Sequence, residues 1–104
     1  MVVPNLSVET GAPENNDRLS ALADFMLEVG SEYSFTSLDA IRESGLYSGS
    51  VMAVEIACSQ DLGKLTDKGI CQEYGVGYYR IVDFSSWPAK EQEMHSLWRK
   101  ANGL

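Results

Sequence analysis

Positive charge is scarce in this chain. Its 104 residues hold 8 Lys and Arg against 15 Asp and Glu, a formal net charge of -7 at pH 7. Such a balance repels phosphate backbones and anionic membrane surfaces at long range and attracts basic partner surfaces. Cysteine and histidine are scarcer still, with only Cys58, Cys71 and His95. Their spacing matches no zinc-ligand pattern, so no metal site is expected. A disulfide between the two cysteines is geometrically open, but two half-buried thiols acting as small hydrophobes suit a small cytosolic domain better. Long apolar runs are missing too. None approaches the roughly 18 residues that a bilayer span requires. The opening "MVVPNLSVETGAPENN" has neither the basic head nor the apolar core of a leader. The expectation is a soluble, cytoplasmic protein with no membrane partner.

Catalytic signatures are also wanting. "GVGYYR" lacks the third glycine of a dinucleotide loop, no phosphate-loop lysine motif occurs, and no Ser or Cys stands at a known spacing from His95. His95 lies four residues after Glu91 and four before Arg99, a spacing that suits a solvated helix face. No catalytic residue, no cofactor-binding residue and no cofactor is assigned, and the chain is read as no enzyme.

What is present suffices for one core, since 44% of the residues are apolar and a chain of this length buries a single one. Residues 1–15 read as a flexible polar arm, either mobile or pinned only by Val2 and Val3. From Asn16, Leu19, Leu22, Ala23, Met26 and Val29 recur at helical spacing up to Gly30. "EYSFTS" offers a short extended piece. Thr36 or Ser37 then caps a second helix in which Asp39 completes a loose capping box and Leu38 and Ile41 face inward. Gly45 can take the positive φ of a helix end, with Leu46 anchoring the turn and Ser48 or Ser50 capping a third helix. There Val51, Val54, Cys58 and Leu62 form the inward stripe, and Gly63 ends it. "GICQEYGVGYYRIVDF" reads as a β-hairpin turning at Gly75 and Gly77, with Tyr78 and Tyr79 on opposite faces and at least one of them packed. Trp87-Pro88 opens a fourth helix with Met94, Leu97, Trp98 and Ala101 on its apolar side.

This order, and the residues "FTSLDAIRESGLYSGSVMAVEIACSQDLGKLTDKGICQEYGVGYYRIVDF", resemble the winged helix-turn-helix superfamily over about residues 16–84. The resemblance rests on the Ala40–Ser50 corner bent at Gly45-Leu46, on the Leu62–Ile70 passage from helix to strand, and on the glycine-tipped hairpin. It implies an α+β domain of three helices and a hairpin wing, with residues 85–104 adding a helix that packs on the domain or on a second copy. It also implies nucleic-acid binding, with the third helix in a major groove and the wing on the backbone.

The charges depart from that pattern. No Lys or Arg occurs between Glu43 and Gly63, and residues 21–50 hold five acids (Asp24, Glu28, Glu32, Asp39, Glu43) against Arg42. Lys64, Lys68 and Arg80 around the wing are nearly cancelled by Asp61, Asp67, Glu73 and Asp83. The only positive region is the last helix, through Lys90, Arg99 and Lys100. The outward face of the third helix then carries Ser48, Ser50, Met52, Ala53, Glu55, Ile56 and Ser59. That face suits a protein interface better than a groove in DNA.

The favoured expectation is therefore a small acidic interaction protein binding a protein partner with a basic or apolar surface through those residues, together with Asp39 and Glu43. Inhibitors of nucleic-acid-handling machinery carried by phages and mobile elements offer an analogy. The alternative is a homodimeric DNA-binding transcriptional regulator. In it Ser48, Ser50 and Ser59 read bases, Lys64, Lys68 and Arg80 touch phosphates, and Met94, Leu97 and Trp98 form the dimer contact.

Overall fold

The computed structural model describes residues 6–7 and 16–104. Four helices and a short antiparallel sheet make an α+β unit in the order β1 (Leu6–Ser7), α1 (Asn16–Val29), α2 (Ser37–Ser44), β2 (Tyr47–Ser48), α3 (Val51–Asp67), β3 (Cys71–Tyr74), β4 (Tyr78–Ile81), a 3-10 turn (Phe84–Ser86) and α4 (Ala89–Ala101). Within the arm, Leu6–Ser7 pairs in parallel with Tyr47–Ser48. Val2 and Val3 lie outside the described residues. No helix among the described residues is long and apolar enough to cross a membrane.

Helix α1 buries Leu19, Leu22, Ala23 and Met26 and stops at Gly30, whose φ of 116° breaks the helical path. Leu and Met side chains, buried in full, each stabilise by ~1.5–3 kcal/mol. Helix α2 opens on a complete capping box. Thr36 Oγ1 accepts the Asp39 N–H, and Asp39 Oδ2 accepts the Thr36 N–H, both at 3.1 Å. It ends at Gly45 in the left-handed region. Ala40 is the buried residue of α2 and Ile41 packs against the core, whereas Leu38 is 48% exposed and not inward. With only two turns, α2 presents a single narrow stripe, and Ala40 occupies its centre.

Two sequence expectations fail on α3. The helix passes through Gly63 and ends four residues later, in a 6→1 bond from Ile70 N–H to Leu65 O at 2.9 Å and a bond from Gly69 N–H to Thr66 O at 3.1 Å. Gly69, at φ +80°, is the left-handed residue of this end, and Leu65 and Ile70 are both in the core. That pairing is the hydrophobic contact that favours the later stop. The inward stripe is also rotated. It consists of Ala53, Val54, Ala57, Cys58, Asp61, Leu62 and Leu65, while Val51 is 76% exposed. Leu46 and Tyr47 from the connector enter the core and supply the apolar groups that Val51 was expected to give.

The hairpin pairs Cys71 with Ile81 through to Tyr74 with Tyr78 and turns at Gly75 and Gly77, both at positive φ. Tyr79 packs against the core and Tyr78 is half exposed. Phe35 is bridged to Tyr79 by two backbone hydrogen bonds of 2.7 and 2.8 Å, which places the connector before α2 along the edge of β4. Cys58 and Cys71 are buried free thiols, not a disulfide. Trp87 is buried, its Nε1 donating to Val82 O at 2.7 Å.

The two glycines at the end of α3 give opposite expectations. A methyl at Gly63 meets nothing within 4 Å and its φ is ordinary, whereas one at Gly69 combines a positive φ with Pro88 side-chain atoms at 3.2 Å. Gly63→Ala should therefore stabilise the fold by about 0.5–1 kcal/mol, and Gly69→Ala should destabilise it by about 1–2 kcal/mol. Urea midpoints at unchanged slope check both, and a gain at Gly69 would contradict this helix end.

Candidate functional site

At about 100° per residue, Val51, Met52, Glu55, Ile56 and Ser59 share one side of α3. All five are exposed, Met52 at 71% and Ile56 at 47%. The absence of Lys and Arg from Ser44 to Leu62 leaves this side apolar with a single acid, Glu55. Ala53, assigned to it from the sequence, is 4% exposed and belongs to the core. The error follows from the misplaced stripe, since moving Val51 outward turns Ala53 inward. Ser48 is exposed but lies in β2 ahead of the helix, and Ser50 is the N-cap, its Oγ accepting the Ala53 N–H at 3.2 Å. Glu43 is exposed on α2, and the Asp39 carboxyl is held below its usual range by the Thr36 backbone N–H.

The cations assigned to the alternative reading are dispersed. Lys64 is exposed in the last turn of α3, and Lys68 is its half-buried C-cap. Arg80 is half-buried, donating Nε–H to Ser34 Oγ at 2.8 Å with its guanidinium 4.6 Å from the centre of the Tyr74 ring. That places Arg80 in a tie between the hairpin and the segment before Phe35.

Two buried polar clusters escaped the sequence reading. In the first, Asp61 on α3 is 2% exposed and Arg18 on α1 is 4% exposed. Arg18 donates Nε–H to Asp61 Oδ2 at 2.6 Å and Nη2–H to Oδ1 at 3.1 Å, and the Tyr47 hydroxyl donates to Oδ2 at 2.6 Å. The paired carboxylate raises the Arg18 guanidinium further, and burial beside Cys58 and Asp61 pushes the Tyr47 hydroxyl up. A signal existed, because Asp61 lies seven residues after Val54 and three after Cys58 on the apolar stripe. Asp61 therefore does not belong with the charges around the hairpin.

In the second cluster, Asp24 Oδ1 accepts from Arg99 Nη1 and lies 3.0 Å from His95 Nε2. His95 is 4% exposed and surrounded by aromatic rings, stacked on Trp98 at 5.6 Å between ring centres, with Trp87 at 5.3 Å and Phe84 at 6.1 Å. The solvated-face expectation for His95 is therefore corrected. The inward side of α4 is rotated by about one residue from the apolar stripe, because Asp24 and the ring cluster provide better partners for His95 than for Met94. Met94 and Leu97 are 50% and 59% exposed. Trp98 packs against the core, its Nε1 donating to Asp17, so α4 is seated on its own α1 and Trp98 is no free dimer contact.

A histidine beside a carboxylate invites a catalytic reading, but here Arg99 shares the carboxylate oxygen and rings cover the imidazole. Among the described residues no hydroxyl or thiol is hydrogen-bonded to it. Burial pushes both the Cys58 and Cys71 thiols up to about 12, which keeps them protonated and weakly nucleophilic at neutral pH. The described residues hold no group of three or more His, Cys, Asp or Glu able to grip a metal ion. Compared with protein-family models, curated proteins and solved structures, the chain matches none.

Asp61→Ala should cost about 3–5 kcal/mol of stability, because it strands a buried guanidinium. Thermal unfolding reads the loss, and a cost below about 1 kcal/mol would show the cluster to be solvated. Both thiols should resist Ellman's reagent at pH 8 in the native protein and react once it is unfolded in guanidinium; prompt reaction in the native state would contradict their burial.

Proposed function

We propose that this chain is a non-enzymatic interaction protein, built on a winged helix-turn-helix scaffold, that docks on a protein partner through the outward side of α3. The scaffold is supported by the succession α1, α2, α3 and hairpin, with Phe35 bridged to β4 where a third strand of such a wing would run. The observation that carries the function is the exposure of Val51, Met52 and Ile56 on a helix side without a cation. Exposed apolar groups gathered on one side mark protein interfaces, and DNA affinity depends on phosphate contacts that need Lys or Arg.

Four acids of the first two helices and the turn between them, Glu28, Glu32, Asp39 and Glu43, face such a partner with negative charge. A partner with a basic or apolar surface fits both features. The partner class is nucleic-acid-handling machinery whose basic channel these acids would occupy, so that the chain acts as an inhibitor. The second reading, a DNA-binding regulator, is favoured by the helix order and by Lys64 at the end of α3, while Arg80 already spends its Nε–H on Ser34.

Fluorescence anisotropy of a random-sequence duplex titrated with the protein at low salt separates the two. The expected outcome is no binding; binding would move the assignment to the regulator. Met52→Lys combined with Ile56→Lys should leave unfolding within about 0.5 kcal/mol of the parent, because both side chains are exposed, and should abolish partner binding. Retained affinity at that variant would remove α3 from the interface.

A further inference from the structure

We propose that α4 is also a self-association helix, and that two copies of this chain pair through antiparallel α4 helices. With its seat on α1 made by His95, Trp98 and Arg99, α4 turns an opposite side outward. Lys90, Glu93, Met94, Leu97, Lys100 and Ala101 are all exposed there. Met94, Leu97 and Ala101 follow one another at steps of three and four, the seam spacing of paired helices. The same seam continues backward to Lys90, whose methylene stem can cover apolar surface while its ammonium stays in water.

Charge selects both the occupant and the direction. Glu93 and Lys100 stand one heptad apart on the same flank of the seam, each immediately before a seam residue, Met94 and Ala101. In a parallel pair this flank would face the opposite flank of the other helix, which holds Glu91 and Trp98, and Trp98 is occupied within its own chain. In an antiparallel pair the flank meets itself with its ends exchanged. Layers of Met94 against Leu97 then place Glu93 of each copy beside Lys100 of the other, giving two symmetric ion pairs. Neither Glu93 nor Lys100 forms an ion pair among the described residues. The seam is therefore complementary to itself about a two-fold axis, as a closed dimer requires.

A helix of 13 residues offers a contact ~20 Å long, which limits the buried area and makes the dimer weak, with a dissociation constant of about 10–100 μM. The two acidic copies repel one another at long range, so about 0.15 M salt, where the Debye length is ~8 Å, is the condition for observing it.

Sedimentation equilibrium of the purified full chain from about 10 μM to about 1 mM tests the proposal. The parent should pass from monomer to dimer across that range, and Leu97→Glu should remain monomeric with an unchanged far-ultraviolet spectrum. Glu93→Lys and Lys100→Glu should each weaken the dimer about ten-fold by setting like charges together, and the double variant should return to within about three-fold of the parent. A parent that stays monomeric overturns the proposal. So does a dimer insensitive to both single changes, and so does a double variant that fails to recover. The Met52→Lys, Ile56→Lys variant should dimerise like the parent, which separates this helix from the docking side of α3; loss of the dimer in that variant would also overturn the assignment.

Discussion

A carboxylate almost without access to water must be matched by the chain itself, and Asp61, on α3, imposes that demand on two other parts of the molecule. Its two oxygens receive Arg18 from α1 and Tyr47 from the connector ahead of α3. The fork of the guanidinium fixes the axial position of α1 along α3, and the single hydroxyl fixes how the α2–α3 connector enters the core. Hydrophobic contact alone tolerates sliding, whereas a bidentate pair of this kind does not. Buried ion pairs contribute little net stability against a well-packed apolar alternative, and their best attested use is in fixing register. Once α1 and α3 are held in this way, the remaining contacts are those of an ordinary small core, with Leu22, Met26, Phe35, Leu62 and Leu65 filling it.

The Asp24 cluster does for α4 what Asp61 does for α1. Arg99 and His95 reach the same carboxylate oxygen, and three aromatic side chains close over the imidazole. Two acids that add to the formal charge of the sequence are thereby removed from the surface. Acids that stay nearer the surface in this part of the chain include Glu28 on α1, Glu32 in the turn after it, and Asp39 and Glu43 on α2. Exposed apolar groups and these acids thus sit on separate elements, α3 for the first and α1, α2 and the turn between them for the second.

Much of this architecture is legible in the residues. Gly30, Gly45, Gly75 and Gly77 announce the breaks, since positive φ at each selects glycine, and Thr36 with Asp39 announces the start of α2. Most of what escapes on α3 and α4 has one physical cause. Apolar periodicity registers only the apolar part of a helix side, and on α3 and α4 deciding contacts are polar. Asp61 and His95 face the core, and a pattern built from Val, Leu and Met assigns them to solvent. The same cause places Ala53 outward and Val51 inward, whereas α3 runs past Gly63 for an apolar reason, the Leu65–Ile70 pairing around Gly69. The exposed side of α3 survived this shift, because Met52, Glu55, Ile56 and Ser59 lie near its middle.

Both tryptophans flank the same imidazole, Trp87 edge-on and Trp98 stacked, and neither lies on α3. Intrinsic emission of this protein is thus a local reporter of the α1–α4 junction. Its intensity and wavelength will follow any loosening of the last helix, whereas α3 carries no tryptophan of its own, so an extrinsic dye is the proper optical probe for occupancy there.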